Sequence, residues 1–193
     1  PDRAPFVGFA NNAYVLPVGL GAGLPITSVN ATSADLTIYR IGDRAIASAV
    51  RNGVFGSSLD QYSANDVANA YGDVVWKGTV DLTKGAPNAT IVTAIPVNDA
   101  LKSMQPGAYV VTAKVSNATG DDSSSLATQW FIVTDLGLSS VSGDDGIHAF
   151  VRSLSTAKPI ADADVRLVAV NNEILGESKT DASGEVTFAP GLA

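Results

Sequence analysis

The sequence predicts an all-β fold: two tandem antiparallel β-sandwich domains, the first with a short helical insertion, the second incomplete at its C-terminus. Three observations predict it. The first is composition. Val, Ala, Ser, Thr and Gly dominate a chain of 193 residues that is 46% hydrophobic but only 16% charged, and the Lys and Glu of exposed helices are scarce. The second is period-two alternation, clearest in 108–115, where Tyr109, Val111, Ala113 and Val115 share one face and Val110, Thr112 and Lys114 the other. The third is the stretch 126–138, LATQWFIVTDLGL, which reads as a long apolar strand, an Asp, and the opening of another strand. It divides the chain into a domain over 1–134 and a second over 135–193.

In chain order, 6–9 and 13–18 are short apolar runs split by Asn11-Asn12. The glycine-rich 19–25, GLGAGLP, lacks the Lys-Ser/Thr ending of a phosphate-binding loop and no βαβ context follows, so it reads as a plain loop. Residues 26–31 and 35–41 read as strands joined by Ser33-Ala34-Asp35 into a hairpin. The period then changes. In 43–54, Ile46, Ala49, Val50 and Val54 fall near helical spacing with Asp43 as a candidate cap. In 63–71, Ser63 is the candidate cap, and Val67 and Tyr71 share a face. Both helices belong to one insertion near 43–71.

Strand spacing resumes at 73–82, with Val75 and Trp76 on opposite faces. The turn 84–88, KGAPN, leads into 89–95 as its hairpin partner, ended by Pro96. Residues 98–104 read as a turn or two of helix capped by Asn98, and Pro106-Gly107 as a turn into the alternating strand. The polar cluster 117–125, NATGDDSSS, precedes the dividing stretch. About seven strands result, the number of an immunoglobulin-like sandwich. Beyond it, strands are expected over 147–154, 164–170, 174–180 and 185–188. They are separated by turns at 142–146 and Asn171-Asn172, a loop through Pro159, and a further hairpin turn at 181–184. About five strands in this domain leave one or two closing strands unaccounted for.

The net charge of −7 and the lack of any Lys/Arg cluster argue against nucleic-acid binding. The second domain carries most of the acidic excess, 4 basic residues against 9 acidic, where the first has 8 against 10. The absence of cysteine removes disulfides, thiolate catalysis and Cys-ligated zinc. No apolar run is long enough to cross a membrane as a helix. The start, PDRAP, has no initiator Met and is not a signal peptide, so the chain is expected to be a processed piece with its targeting signal upstream.

No catalytic, cofactor-binding or metal-ligating residue is expected. His148, the lone histidine, sits on a strand between Ile147 and Ala149 and reads as structural. Asp144-Asp145, the stretch 181–185 and Asp121-Asp122 offer carboxylates to a hard cation but lack the EF-hand pattern, and turn geometry alone accounts for Asp before Gly. Trp76 and Trp130 sit in long apolar strands, where core packing outweighs a sugar-stacking role. Asn30, Asn88 and Asn117 each open an Asn-Ala-Thr sequon, read here as turn or strand residues.

An ordered series of stretches resembles bacterial alpha-2-macroglobulins: 36–43, LTIYRIGD; 59–62, LDQY; 75–80, VWKGTV; 96–109, PVNDALKSMQPGAY; 130–138, WFIVTDLGL; 143–153, GDDGIHAFVRS; and 171–191, NNEILGESKTDASGEVTFAPG. The resemblance implies two consecutive macroglobulin domains, each a fibronectin-like sandwich, from the N-terminal half of a protein that entraps proteases after bait cleavage. It implies neighbouring macroglobulin domains and, through the longer protein, target proteases as partners. It also implies a periplasmic location, with the longer protein lipid-anchored to the inner membrane. The family's Cys-Gln thioester has no counterpart here, and no bait region is identifiable. Two other readings stay open: an immunoglobulin-like stalk module of a bacterial surface adhesin, and an accessory domain of an envelope enzyme, with carbohydrate binding as one such role. The helical insertion speaks against a simple stalk, and an exposed aromatic platform would favour the accessory domain.

Overall fold

The computed structural model describes residues 2–10, 13–16, 23–95, 105–116, 126–169, 171 and 173–192, with the backbone alone at 13 and 14. The chain divides into two compact units, one running to Val133 and the other from Thr134. The expected helix at 98–104 and the polar cluster at 117–125, with Asn117 and Asp121-Asp122, lie outside the described residues, as do Pro96 and most of 19–25.

The first unit contains β1 (Phe6–Phe9), β2 (Ala13–Leu16), β3 (Leu24–Val29), β4 (Ser33–Ile41), β5 (Gly72–Asp81), β6 (Ile91–Ile95), β7 (Gly107–Val115) and β8 (Ala127–Val133). They form a three-stranded sheet, β1-β3-β6, and a five-stranded sheet, β2-β8-β7-β4-β5. Every pairing is antiparallel except β2 with β8, which is parallel. Leu24 and Ile26 of β3 meet Leu36 and Ile38 of β4, Val111 of β7 and Phe131 of β8 in the core between the sheets. This is the layered burial of a sandwich, each strand sending alternate side chains inward.

Two expected hairpins are not hairpins. β3 bonds to β1 and β6, not to β4. β6 bonds to β3, not to β5. In each case the connection carries the chain from one sheet to the other. The turn after β3 starts at Asn30, whose φ of +48° swings β4 across the core, so that β3 and β4 meet through side chains rather than backbone. β5 instead follows the register of β4 as far as a bulge after Ile38, which leaves Val75 outside the pairing.

The insertion between β4 and β5 holds α1 (Ile46–Arg51) and α2 (Gln61–Asp66), the latter running into a π-helical turn over Val67–Tyr71. Neither expected cap serves. Asp43 is drawn away by the Arg40 guanidinium at 3.0 Å, and α1 begins after Ala45 without a side-chain cap. α2 is capped by Asp60, whose carboxylate accepts the Ser63 N–H at 2.7 Å; Ser63 is therefore the capped residue. α1 buries Ala49 and leaves Val50 exposed, so its inner face is turned from the expected one. The insertion lies on the outer face of the five-stranded sheet. Leu59, Ala64 and Val67 cover Tyr39 and Ile41 of β4, Val110 of β7 and Trp130 of β8. Both faces of β7 are thereby buried, which its sequence alternation does not reveal.

The second unit contains β9 (Leu136–Gly143), β10 (Gly146–Ser153), β11 (Asp164–Val168), β12 (Ile174–Lys179) and β13 (Glu185–Phe188). β13-β10-β9 form one sheet and β11-β12 another. The turn at 181–184 again joins two sheets, because β13 pairs with β10 and not with β12. Ala149, Val151, Val165, Val186 and Phe188 make the core. Leu138 sits beside Val151 on the core-side face, yet it and Leu136 are exposed.

Candidate functional site

The densest polar cluster centres on His148. Alternation along β10 sends Ala149 and Val151 into the core and turns His148 to the opposite, outer face. There its Nε2 lies 3.1 Å from Asp145 Oδ2 on the β9–β10 turn, and its Nδ1 lies 2.9 Å from Glu185 Oε1 on β13. Thr187 Oγ1 is 3.2 Å from the same Nδ1. Hydrogen bonding from Glu185 and then Asp145 raises the imidazole pKa above its ordinary value of 6.5, and the bond to His148 in turn lowers that of Asp145. The histidine sits on the strand where the sequence places it. Its partners, one of them 37 residues away, come from the pairing of β13 with β10.

Of the other carboxylates weighed for cations, Asp181 is held by protein partners. Asp181 Oδ1 accepts the Ser183 N–H at 2.8 Å, the Ser183 hydroxyl at 2.6 Å and the Glu185 N–H at 3.0 Å, which closes the turn into β13. The Ser183 hydroxyl is the largest influence lowering its pKa. Asp135 accepts the Ser155 N–H at 2.9 Å just before β9 begins. Only Thr134 and Asp135 separate β8 from β9. Among the described residues no three His, Cys, Asp or Glu side chains are grouped to hold a metal ion.

Two sequon asparagines form a clasp. Asn30 Oδ1 accepts the Asn88 N–H at 2.8 Å, and Asn30 Nδ2 donates to Asn88 Oδ1 at 2.9 Å and to the Arg3 carbonyl at 2.7 Å. Both asparagines hold positive φ, +48° and +65°, a conformation their short amides tolerate. They tie the N-terminal segment to the two connections that cross between the sheets.

Neither tryptophan forms an exposed platform. Trp130 is buried beneath the insertion, donates its indole N–H to the Ser57 carbonyl at 2.8 Å, and lies 4.9 Å from the Phe55 ring. Trp76 packs half-buried against the core between the sheets. A cleft of about 490 Å³ lies on the five-stranded sheet beside α2, lined by Thr37, Tyr39, Gln61, Asn65, Lys77 and Lys114 among others. Sequence reasoning did not single it out. It depends on the insertion standing over one part of the sheet and not another.

Known proteins give this arrangement its context. Residues 8–131 match the bacterial alpha-2-macroglobulin MG2 domain model, and residues 133–193 the MG3 domain model. The alpha-2-macroglobulin of Escherichia coli K12 is 25% identical over 185 residues, which cover 96% of this chain and 11% of that protein. That of Xylella fastidiosa (strain Temecula1) is 24% identical, over 93% of this chain and 11% of that protein. The chain thus spans about a tenth of the relatives it matches. Among solved structures, native alpha-2-macroglobulin from E. coli spanning domains NIE-MG1 superposes with a TM-score of 0.77 at 22% identity, over 96% of this chain and 86% of that one. The trypsin-activated E. coli protein gives 0.75 at 22% identity, over 96% of this chain and 12% of that one. With both units matched in order by consecutive domain models, this chain belongs to the bacterial alpha-2-macroglobulin family.

Proposed function

We propose that the chain is a two-domain stretch of the wall of a steric protease trap. The longer protein presents a bait elsewhere, a target protease cuts it, and the array of macroglobulin domains rearranges around the enzyme. The observation that carries this reading is the ordered match of two consecutive domain models, at 8–131 and 133–193. The fold suits a framing role. Each unit has its own packed core, and a two-residue connection joins them. Packed sandwiches on short connections move as bodies when an array rearranges. The chain supplies no catalysis in this scheme. Its partners are the neighbouring domains and, through the longer protein, the trapped protease. The reading places the longer protein in the periplasm, lipid-anchored to the inner membrane, where cell fractionation tests it.

The deciding experiment mixes the full-length protein with a protease and follows cleavage of a large protein substrate and of a small peptide substrate side by side. Steric trapping abolishes the first and spares the second. Equal cleavage of both removes the trap reading and brings forward the stalk module.

A further inference from the structure

We propose that His148, Asp145 and Glu185 form a protonation-dependent clasp that ties β13 and the β9–β10 turn to β10, closed while the imidazole carries both protons and half-released when it loses one. Hydrogen-bond capacity separates the two states of the ring. A neutral imidazole has one N–H and one lone pair, and only the imidazolium donates from both nitrogens. Here both nitrogens face carboxylate oxygens, at 3.1 and 2.9 Å. A neutral ring would turn a lone pair toward one of them.

The surroundings select the charged ring. The turn contributes Asp145 in contact and the exposed Asp144 beside it. β13 contributes Glu185 and the Thr187 hydroxyl. β9 opposes His148 with Val141, flanked on that face by Ser139 and Gly143, and brings no charge. On β10 itself the same face carries Phe150 and Arg152, and the Arg152 guanidinium is directed to the Ala157 carbonyl. The core lies behind the sheet, on the side of Ala149 and Val151. Acidic groups therefore dominate, in agreement with the upward pKa shift.

Thr187 defines the other state. When Nδ1 gives up its proton, its lone pair accepts from the Thr187 O–H at 3.2 Å, while Nε2–H still donates to Asp145. The Glu185 carboxylate loses its partner and turns to water. β13 pairs with β10 over only four residues, yet carries Val186 and Phe188 of the core, so this contact bears on the order of the whole unit. The sign follows from linkage. The native pKa lies above the unfolded value near 6.5, so the clasp contributes in full below about pH 6.5 and is lost as pH climbs through the native value.

The test uses the 193-residue chain, in which the ring signals of the one histidine are unambiguous. NMR titration of His148 is expected to give a midpoint above 6.5, and Glu185→Gln and Asp145→Asn are each expected to lower it. The urea midpoint of the second unit should fall across the same pH interval and stay level in His148→Gln. A wild-type titration midpoint at or below 6.5 overturns the clasp without need of any variant. So does a midpoint that either substitution leaves in place.

Discussion

Gly146 opens β10 at φ +128°, a backbone region that side chains resist, and a Cβ there would collide with the Phe188 carbonyl oxygen of β13. Gly146→Ala should destabilise the second unit by about 2 to 3 kcal/mol, because strain and collision add. Gly191 supplies the control, with φ +83° and open space around its Cβ position, so Gly191→Ala should cost only about 1 kcal/mol. Urea melts followed through the His148 ring signal measure both, and equal losses would show that the β13 contact is unimportant. The titrating residues set a pH window for the same unit. Asp145, Asp181 and Asp135 are held below their ordinary 3.8, by His148, Ser183 and Ser153 respectively, so their contribution is present above about pH 3.8 and fades as pH falls through the native values. His148 acts on the opposite flank. Stability of this unit is expected to be highest between about pH 4 and 6.5.

The helical insertion is where an element explains more than its residues. Trp130 is 1% exposed only because Leu59, Ala64 and Val67 stand over it. Trp130→Ala should cost about 3 to 5 kcal/mol by opening a cavity under the insertion. Trp130→Phe keeps most of the packing and loses the bond to the Ser57 carbonyl, for about 1 to 2 kcal/mol. Circular-dichroism melts of the two variants give the comparison, and equal losses would mean that the indole N–H matters more than the buried volume. The sequence made the insertion legible through its change of period, and the strands through alternation. It did not reveal which strands pair. A short turn with Asn or Gly looks the same locally whether it closes a hairpin or crosses a core. The choice at Asn30, at 84–90 and at 181–184 was made by distant apolar faces. The caps failed for a similar reason: Arg40 claims Asp43 for an ion pair, and Asp60, one turn earlier than expected, caps α2. The partners of His148 were hidden because they depend on strand pairing.

At the scale of the molecule, the two units differ in how much they bury. Among the described residues, the first holds clusters of fourteen and eight buried apolar side chains, one on each face of its large sheet. The second holds five, and Leu136, Leu138 and Val141 of β9 remain exposed. Small cores leave little margin over chain entropy, so the second unit should unfold at lower urea than the first. The chain carries its own reporters for this. Both tryptophans lie in the first unit, and the one histidine lies in the second. In a urea series the His148 ring signal is expected to reach its unfolded position while tryptophan fluorescence is still native. Coincident transitions by the two probes would mean that the units unfold as one cooperative body. If the proposed wall role holds, domains that melt together would pass a rearrangement on as a single piece. Separate transitions would follow from the smaller core of the second unit alone.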